Sequence, residues 1–445
     1  MPPPFTLAAE ADVLVCGGGC AGVTAAVAAG RHGARVVLLE RWPSIGGMAT
    51  NALVNGWHRS DREQMVIYGL VEESAQRAAR HGWIRQDAAY PHAHETHWFE
   101  PEGMRIVWQR MLDEAGVRTF CYLPAGEPLL KAGRIQGVLC DTQQGRRAFL
   151  ARIVIDATGD GEVAAKSGVP CDLGRAGDGR VQGMTLMFAL RGVDDSDEAR
   201  RLREEQSEAV MAEMRALTAA GQFPPFNEGN TSAYMSGMPL NHVIWNMLPV
   251  AGDPLSEEEL SRLTALGRER LVAYLDFWRA RVPGMAGAVI EQTGFALGVR
   301  ESRRIHGRQT LDAEMVLGAV KQPDALGHGV WMIDIHDPLC SGYTTYTDRG
   351  GRNMLAAGTS YHLPLGMCLT DRVPNLGGVG RCASSTHEAL ASCRVQTHCM
   401  VLGQGVGTAA ALALDAGVDL HELSLPLLHS ALRADGVYLE DVPTT

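Results

Sequence analysis

What the sequence lacks narrows the field first. Its ten cysteines are scattered from Cys16 to Cys399 with no CxxC pair among them. A disulfide framework and a zinc ribbon are therefore not expected, and a reduced, cytoplasmic setting is. No apolar run reaches about 18 uninterrupted residues, so no membrane span is expected. No basic segment precedes the first apolar stretch, so no secretory signal is read. Lys and Arg total 40 against 51 Asp and Glu, giving a net charge of −11. Without a basic run to meet phosphates, a nucleic-acid partner is not expected. Internal repeats and low-complexity tracts are missing too. What is left is 445 residues, 46% hydrophobic and 20% charged, a composition that suits a globular protein of two or three domains.

What is present begins at position 12, with DVLVCGGGCAGVTAAVAAGRHGARVVLLE. The apolar run ADVLVC has the look of a buried parallel strand. Gly17-x-Gly19-x-x-Gly22 follows, then an alanine-rich helix closing near Gly33, then a second apolar strand ending at Glu40. Each glycine has a mechanical task. Gly17 permits a tight turn, Gly19 lets backbone amides approach a pyrophosphate, and Gly22 lets helix and strand pack closely. The helix N-terminus offers unpaired N–H groups and partial positive charge to that anion. Glu40 stands where a carboxylate accepts hydrogen bonds from a ribose. Strand, glycines, helix, strand and acid in this order predict a site for a ligand containing ADP.

The remainder of the chain distinguishes between dinucleotides. A dehydrogenase using a nicotinamide cofactor continues with further short βα units, and this chain does not. It gives a Gly46-Gly47 doublet, a polar, His-rich region over roughly 58–115, and a strand-rich meander closing on DATGDG at 156–161. Far downstream stand NLGGVGRCASSTHEALASCR and LGQGVGTAAALA. With GGMATN, VIDATGDGEVAAKSGVP and GVRESRRIHG, these segments resemble the FAD-dependent oxidoreductases of the glutathione-reductase superfamily. The nearest group is that of the fumarate reductase and succinate dehydrogenase flavoproteins. The resemblance implies an α/β fold, with a Rossmann-type FAD-binding domain assembled from both ends of the chain around an inserted α+β substrate domain. The expected boundaries are 1–170, 171–340 and 341–445.

The resemblance also implies roles. Gly17, Gly19, Cys20, Ala21 and Gly22 would meet the pyrophosphate, and Glu40 the adenosine ribose. Arg41, Gly46, Gly47 and Met48 would lie beside the flavin phosphates. Gly159 and Asp160 match a second adenosine-side turn, and Gly380 and Arg381 a segment reaching the flavin. A helix starting near Gly403–Gly407, with Gly405 at the cofactor, would point its N-terminus at the flavin ring. The Gly377-Gly378 pair departs from the bulky residues usual there, and implies a mobile loop or a close approach of backbone to ligand. Cys16 and Cys20 read as small packing residues.

Candidate chemistry rests on arginine and histidine. In GVRESRRIHGR, planar guanidinium groups suit an anionic substrate, with Arg303 chosen and Arg300 as its neighbour; structural pairing with Glu301 is the alternative. His387, in the family-like SSTHEALASCR, is the candidate acid or base, and Arg394 a carboxylate or flavin contact. His58 follows the stretch where relatives can carry a histidine joined covalently to FAD. The histidines of PHAHETHW (His92, His94, His97) have no acidic partner at ligand spacing, so no metal is expected. Phe223, Phe226, Tyr234, Trp245 and Trp278 are available to line a pocket. The expected activity is hydride transfer between FAD and a small organic, anionic substrate, with an unidentified second electron partner. An FAD monooxygenase and a non-redox protein on the same fold are the alternatives; a halogenase lacks its Trp-x-Trp-x-x-Pro segment here. A homodimer is the default assembly.

Overall fold

The computed structural model describes residues 5–86, 96–227, 243–340 and 351–442. At its centre is a seven-stranded sheet built around Thr6–Cys16. That strand runs parallel to Val36–Leu39 on one side and, from Arg147 to Asp156, to Gly145–Asp156 on the other. Leu38 and Ile155, like Val13 and Val15, are fully buried, because helices cover a parallel sheet and its strands need apolar residues on both faces. The register pairs Cys16 with both Leu39 and Asp156, so three strands end at one level. A crevice outside the carboxyl ends of such strands is where this kind of sheet takes its ligands.

Both ends of the chain build this layer. Leu376–Gly378 joins the sheet parallel to residues 154–156. The first half of Gly145–Asp156 also pairs with the antiparallel strand Arg134–Thr142. The dinucleotide helix, Cys20–Arg31, packs against a long helix, Gln396–Ala416. A Cβ at Gly403 would overlap the Ala21 carbonyl, and one at Gly407 the Ala25 carbonyl. These glycines therefore sit inside the helix as packing positions, where side chains would force the two axes apart. The expected helix start near Gly403–Gly407 is corrected to Gln396. By length and apolar composition that helix could cross a membrane, but its residues are mostly buried within the fold.

Gly377 and Gly378 find a different explanation from either one expected. Both are buried within their strand, with Val406 and Ile305 occupying the space their side chains would need. The strand is closely covered on both faces.

A separate apolar core runs from Met184 to Leu297. It lies between a three-stranded antiparallel sheet (Met184–Arg191, Val243–Val250 and Val289–Thr293) and the helices Asp197–Ala219 and Glu257–Arg281. Ser256 caps the second helix by accepting from Glu259 N–H. The Glu259 carboxylate accepts from Asp253 N–H, so the reciprocal half of the expected capping box goes elsewhere. Trp245, Trp278, Phe223 and Phe226 belong to this core and not to a ligand pocket; Tyr234 lies outside the described residues. From Ile305 onward the chain has rejoined the main body, since Ile305 and Leu311–Ile335 pack in its cores.

Candidate active site

A cavity of about 610 Å³ opens at the carboxyl ends of the parallel strands and extends to the inserted sheet. That volume falls in the range of about 300–1,000 Å³ typical of small-molecule sites. The glycine turn forms one end. Gly17 has φ +105°, and a Cβ there would overlap the Ala157 carbonyl. A Cβ on Gly22 would overlap the Gly17 carbonyl, so this glycine is required for turn and helix to meet. Gly19 differs. It is the N-cap of the dinucleotide helix, with ordinary extended dihedrals and no side-chain cap. A Cβ there would meet only Gly47 Cα, at 3.9 Å, and would otherwise project into the cavity that Gly19, Cys20 and Ala21 line. Space and unpaired helix N–H groups therefore coincide, as an anionic pyrophosphate requires.

Glu40 lines the same end and holds the turn in place. Its Oε2 accepts from Gly18 N–H at 2.6 Å and its Oε1 from Trp42 N–H at 2.8 Å. Burial pushes its pKa up from the usual carboxylate range, opposed by those amides. Arg41, Gly47 and Met48 also line the cavity. Gly46 stands just behind, at φ +104°, its N–H bonded to Gly18 O at 2.7 Å. The Cys20 thiol borders the cavity as well, and burial raises its pKa to about 12. It is no thiolate nucleophile. All ten cysteines are free.

The second turn is brought to the cavity by Gly159, with Gly380 and Arg381 opposite. Asp160 does not line it. Its carboxylate accepts from Arg381 Nη2 and Ser302 Oγ, each at 2.8 Å, and so aims the Arg381 side chain. Burial alone would raise this carboxyl, but Arg381 and Arg41 hold it below its usual range. Gly405 is a correction. It lies in mid-helix, where the Leu326 side chain occupies the place of its Cβ, and it does not reach the cavity. The helix end that does reach it carries Arg394, Val395 and Gln396.

At the opposite end the cavity runs between the main body and the inserted sheet. Of the four residues proposed for catalysis, His58 and Arg394 are here. His58 is stacked on Trp331, ring centroids 3.6 Å apart, and burial lowers its pKa to about 3. His387 is a correction. It is buried outside the cavity against the Glu301 carboxylate, at 2.8 Å, and Glu301 also pairs with Arg304. Arg303 is another. It lies on a short strand outside the cavity, Nη1 3.5 Å from the Asp160 carbonyl. The arginine of that motif facing the cavity is Arg300, which donates to Gly183 O at 2.8 Å, Thr185 Oγ1 at 2.7 Å and Asn246 Oδ1 at 3.1 Å.

Sequence reasoning did not single out Asp334. It lines this end together with His336, whose Nε2 is 3.4 Å from Asp334 Oδ2. Arg394 Nη2 donates to the Asp334 carbonyl at 2.9 Å and lies 3.9 Å from Asp334 Oδ2. Burial alone would raise the Asp334 carboxyl, but His336, Arg394 and Arg300 hold it well below the usual range. His336 is lowered to about 4, by burial first and then by Arg300. The available signal was WMIDIHD, an apolar run broken by an acid and a histidine two residues apart.

Buried neutral histidines make stability depend on pH. Burial lowers His58 and His398 to about 3, and His97, His336 and His362 to about 4. Above about pH 6.5 both folded and unfolded forms are neutral and nothing is lost. Below it the unfolded chain takes up protons that the fold refuses, at a cost on the order of 1 kcal/mol per histidine per pH unit. Depressed carboxylates such as Asp334 add to the loss at lower pH. Melting temperatures measured from pH 7.5 to 5 are expected to hold level and then fall by several degrees below 6.5. A level profile to pH 5 would contradict these assignments. His92 and His94 lie outside the described residues.

A glycine turn at a helix N-terminus, a second turn opposite it, and one cavity spanning sheet and inserted segment define a nucleotide-cofactor enzyme of the flavoprotein kind. The chain belongs to the FAD-dependent oxidoreductase family, which it matches over residues 12–432, and FAD is its cofactor. Among solved structures it is similar to a geranylgeranyl bacteriochlorophyll reductase-like protein from Thermoplasma acidophilum, at 14% identity and a TM-score of 0.48. That match covers 96% of this chain and 83% of the other. It is also similar to the anhydrotetracycline hydroxylase OxyS from Streptomyces rimosus, at 11% identity and 0.48, covering 96% and 66%. A myxobacterial chondrochloren halogenase matches at 14% and 0.45, covering 95% and 78%.

Proposed function

We propose that this flavoprotein is a dehydrogenase, reductase or oxidase acting on a small organic anion, bound at the end of the cavity farthest from the glycine turn. One observation carries the reading. Two arginines, Arg300 and Arg394, face this end, where among the described lining residues the carboxylate beside them is that of Asp334, while burial keeps His58 and His336 neutral. Two guanidinium groups held at fixed positions in a buried setting make a donor set that suits the carboxylate of a small organic anion.

When bound, FAD supplies hydride acceptance or donation. The protein does the remainder. Arg300 is fixed by three acceptors and Arg394 by the Asp334 carbonyl, so both guanidinium groups are oriented before a substrate arrives. Asp334 holds the His336 imidazole, and the neutral ring takes the proton released as the substrate is oxidised. Trp331, stacked on His58, walls the site against water. Gly17, Gly19, Cys20, Ala21 and Gly22 hold the pyrophosphate turn, with Glu40, Arg41, Gly46, Gly47 and Met48 beside it. Gly159, Gly380 and Arg381 form the opposite wall, with Asp160 behind it fixing the Arg381 side chain. A reduced, cytoplasmic setting belongs to the same reading, supported by the ten unpaired thiols.

The test is anaerobic mixing of the flavin-loaded protein with a panel of hydroxy, amino and saturated carboxylates, with unsaturated carboxylates added to the chemically reduced flavin to look for its reoxidation. Loss of the flavin's long-wavelength absorption with a substrate alone is the expected result. Reduction only by a nicotinamide nucleotide, followed by oxygen incorporation into product, would make the chain a monooxygenase. A flavin that no reductant of either kind reduces would leave the non-redox alternative.

A further inference from the structure

His328 and His362 are a cross-strand pair in a two-stranded antiparallel ribbon, Ala325–Gly329 with Tyr361–Pro364. Directly paired residues on one face bring their side chains together. The rings stand at 89° with centroids 4.8 Å apart, and both side chains are fully buried. Asp441, from the C-terminal segment, closes the group. Its Oδ1 lies 3.2 Å from His328 Nε2 and 3.0 Å from His362 Nε2. Among the described residues His328 Nε2 has no partner in good hydrogen-bond geometry, Asp441 Oδ1 being near enough but poorly aligned, although the residue is only 1% exposed. An unsatisfied buried nitrogen aimed at a carboxylate and a second imidazole needs an explanation.

We propose that His328, His362 and Asp441 form a structural site for a divalent transition-metal ion, with zinc the best match. Metal–ligand distances of about 2.0–2.2 Å place the corners of a tetrahedron about 3.3 Å apart. Asp441 Oδ1 is already at that spacing from each imidazole, and the three ligand atoms lie within 4.8 Å of one another, so the two rings need to close toward a shared ion. Two imidazoles and one carboxylate suit zinc better than calcium or magnesium, and the partly exposed Asp441 leaves a corner for water. The outer contacts fit as well. His328 Nδ1 is 2.8 Å from Ser360 Oγ, and His362 Nδ1 is 3.3 Å from the Gln322 carbonyl. Acceptors there keep a proton on Nδ1 and free Nε2 for a metal. In the metal-free tautomer His362 Nδ1 instead accepts from Gln322 N–H, at 3.0 Å. Lys321 Nζ holds the other Asp441 oxygen at 2.5 Å, which leaves Oδ1 as a single ligand atom.

The ion would clasp the C-terminal segment to a ribbon whose next residues, Val330 to His336, run into the cavity wall. No metal was legible in the histidine tract PHAHETHW, and these three ligands are far apart in the chain, brought together only by the fold. The alternative occupant of the same geometry is a proton, in a hydrogen-bonded His–Asp–His latch.

Equilibrium dialysis of the chelator-stripped, flavin-loaded protein against Zn2+, read by elemental analysis, separates the two. The wild type is expected to hold a single equivalent above the thiol background. Ser360→Ala should weaken it by about 10–100-fold, and His328→Ala and Asp441→Asn should remove it while flavin content stays. Zinc should also raise the melting temperature of the wild type but not of Asp441→Asn. Asp441 is at the surface, so that variant stays informative if the histidine variant misfolds. No equivalent retained by the wild type, or one retained unchanged by Asp441→Asn, would establish the latch and overturn the metal site.

Discussion

Replacing Gly19 by valine is expected to give a folded protein with almost no flavin. The backbone at Gly19 has φ −70° and ψ −177°, which a branched residue adopts without strain. Among the described residues outside its own turn of chain, the new Cβ would meet within 4 Å only Gly47 Cα, at 3.9 Å. The backbone therefore accepts the change without strain, at the small cost of a poorer N-cap, while the side chain fills the space at the helix N-terminus. Affinity for FAD should fall by two orders of magnitude or more, about 3 kcal/mol. Flavin content after purification and reconstitution checks this, with circular dichroism confirming the fold. Gly22 makes the control. Any side chain there overlaps the Gly17 carbonyl, so Gly22→Val should damage the fold itself. A Gly19→Val protein with full flavin content would mean that the pyrophosphate lies elsewhere.

The second large effect concerns His336. Removing a positioned proton acceptor costs about 10²–10⁴-fold in rate. His336→Asn keeps a polar side chain of similar reach and should lower the rate of flavin reduction by that factor, with flavin content and substrate affinity little changed. His387→Asn should not produce this pattern, because His387 is buried against Glu301 outside the cavity. Its loss leaves part of that carboxylate unsatisfied and should lower stability instead. Equal rate losses in the two variants would contradict the assignment. The pH dependence adds a check. With His336 lowered to about 4, the reduction rate should show no ionisation near the usual histidine value of about 6.5.

The parts of this site legible in the sequence were those set by local geometry. Gly17, Gly19 and Gly22 serve a turn and a helix start only a few residues long, and their spacing states the task. Gly159 and Gly380 were found through a resemblance, and both line the cavity. Gly403, Gly405 and Gly407 show the limit. Glycine at a helix N-terminus and glycine at a helix crossing look alike in sequence, and only the carbonyls of Ala21 and Ala25 tell them apart. Arg300 and Arg303 lie three residues apart, and which one faces the cavity depends on where the chain leaves the inserted segment. Asp334 was missed for a related reason. Its significance comes from His336, Arg394 and Arg300, which only tertiary structure assembles around it.

One measurement bears most directly on the central claim, that the guanidinium groups of Arg300 and Arg394 receive an anionic substrate. It is the dissociation constant of matched carboxylates and carboxamides, read from the shift each causes in the absorption of the bound flavin. A hydrogen-bonded charge is worth about 1.5–3 kcal/mol. The carboxylate of each pair should bind at least about tenfold more tightly to the wild type, and Arg394→Gln should erase most of the difference. Equal affinities within the pairs, or a preference that survives Arg394→Gln and Arg300→Gln alike, would contradict the account.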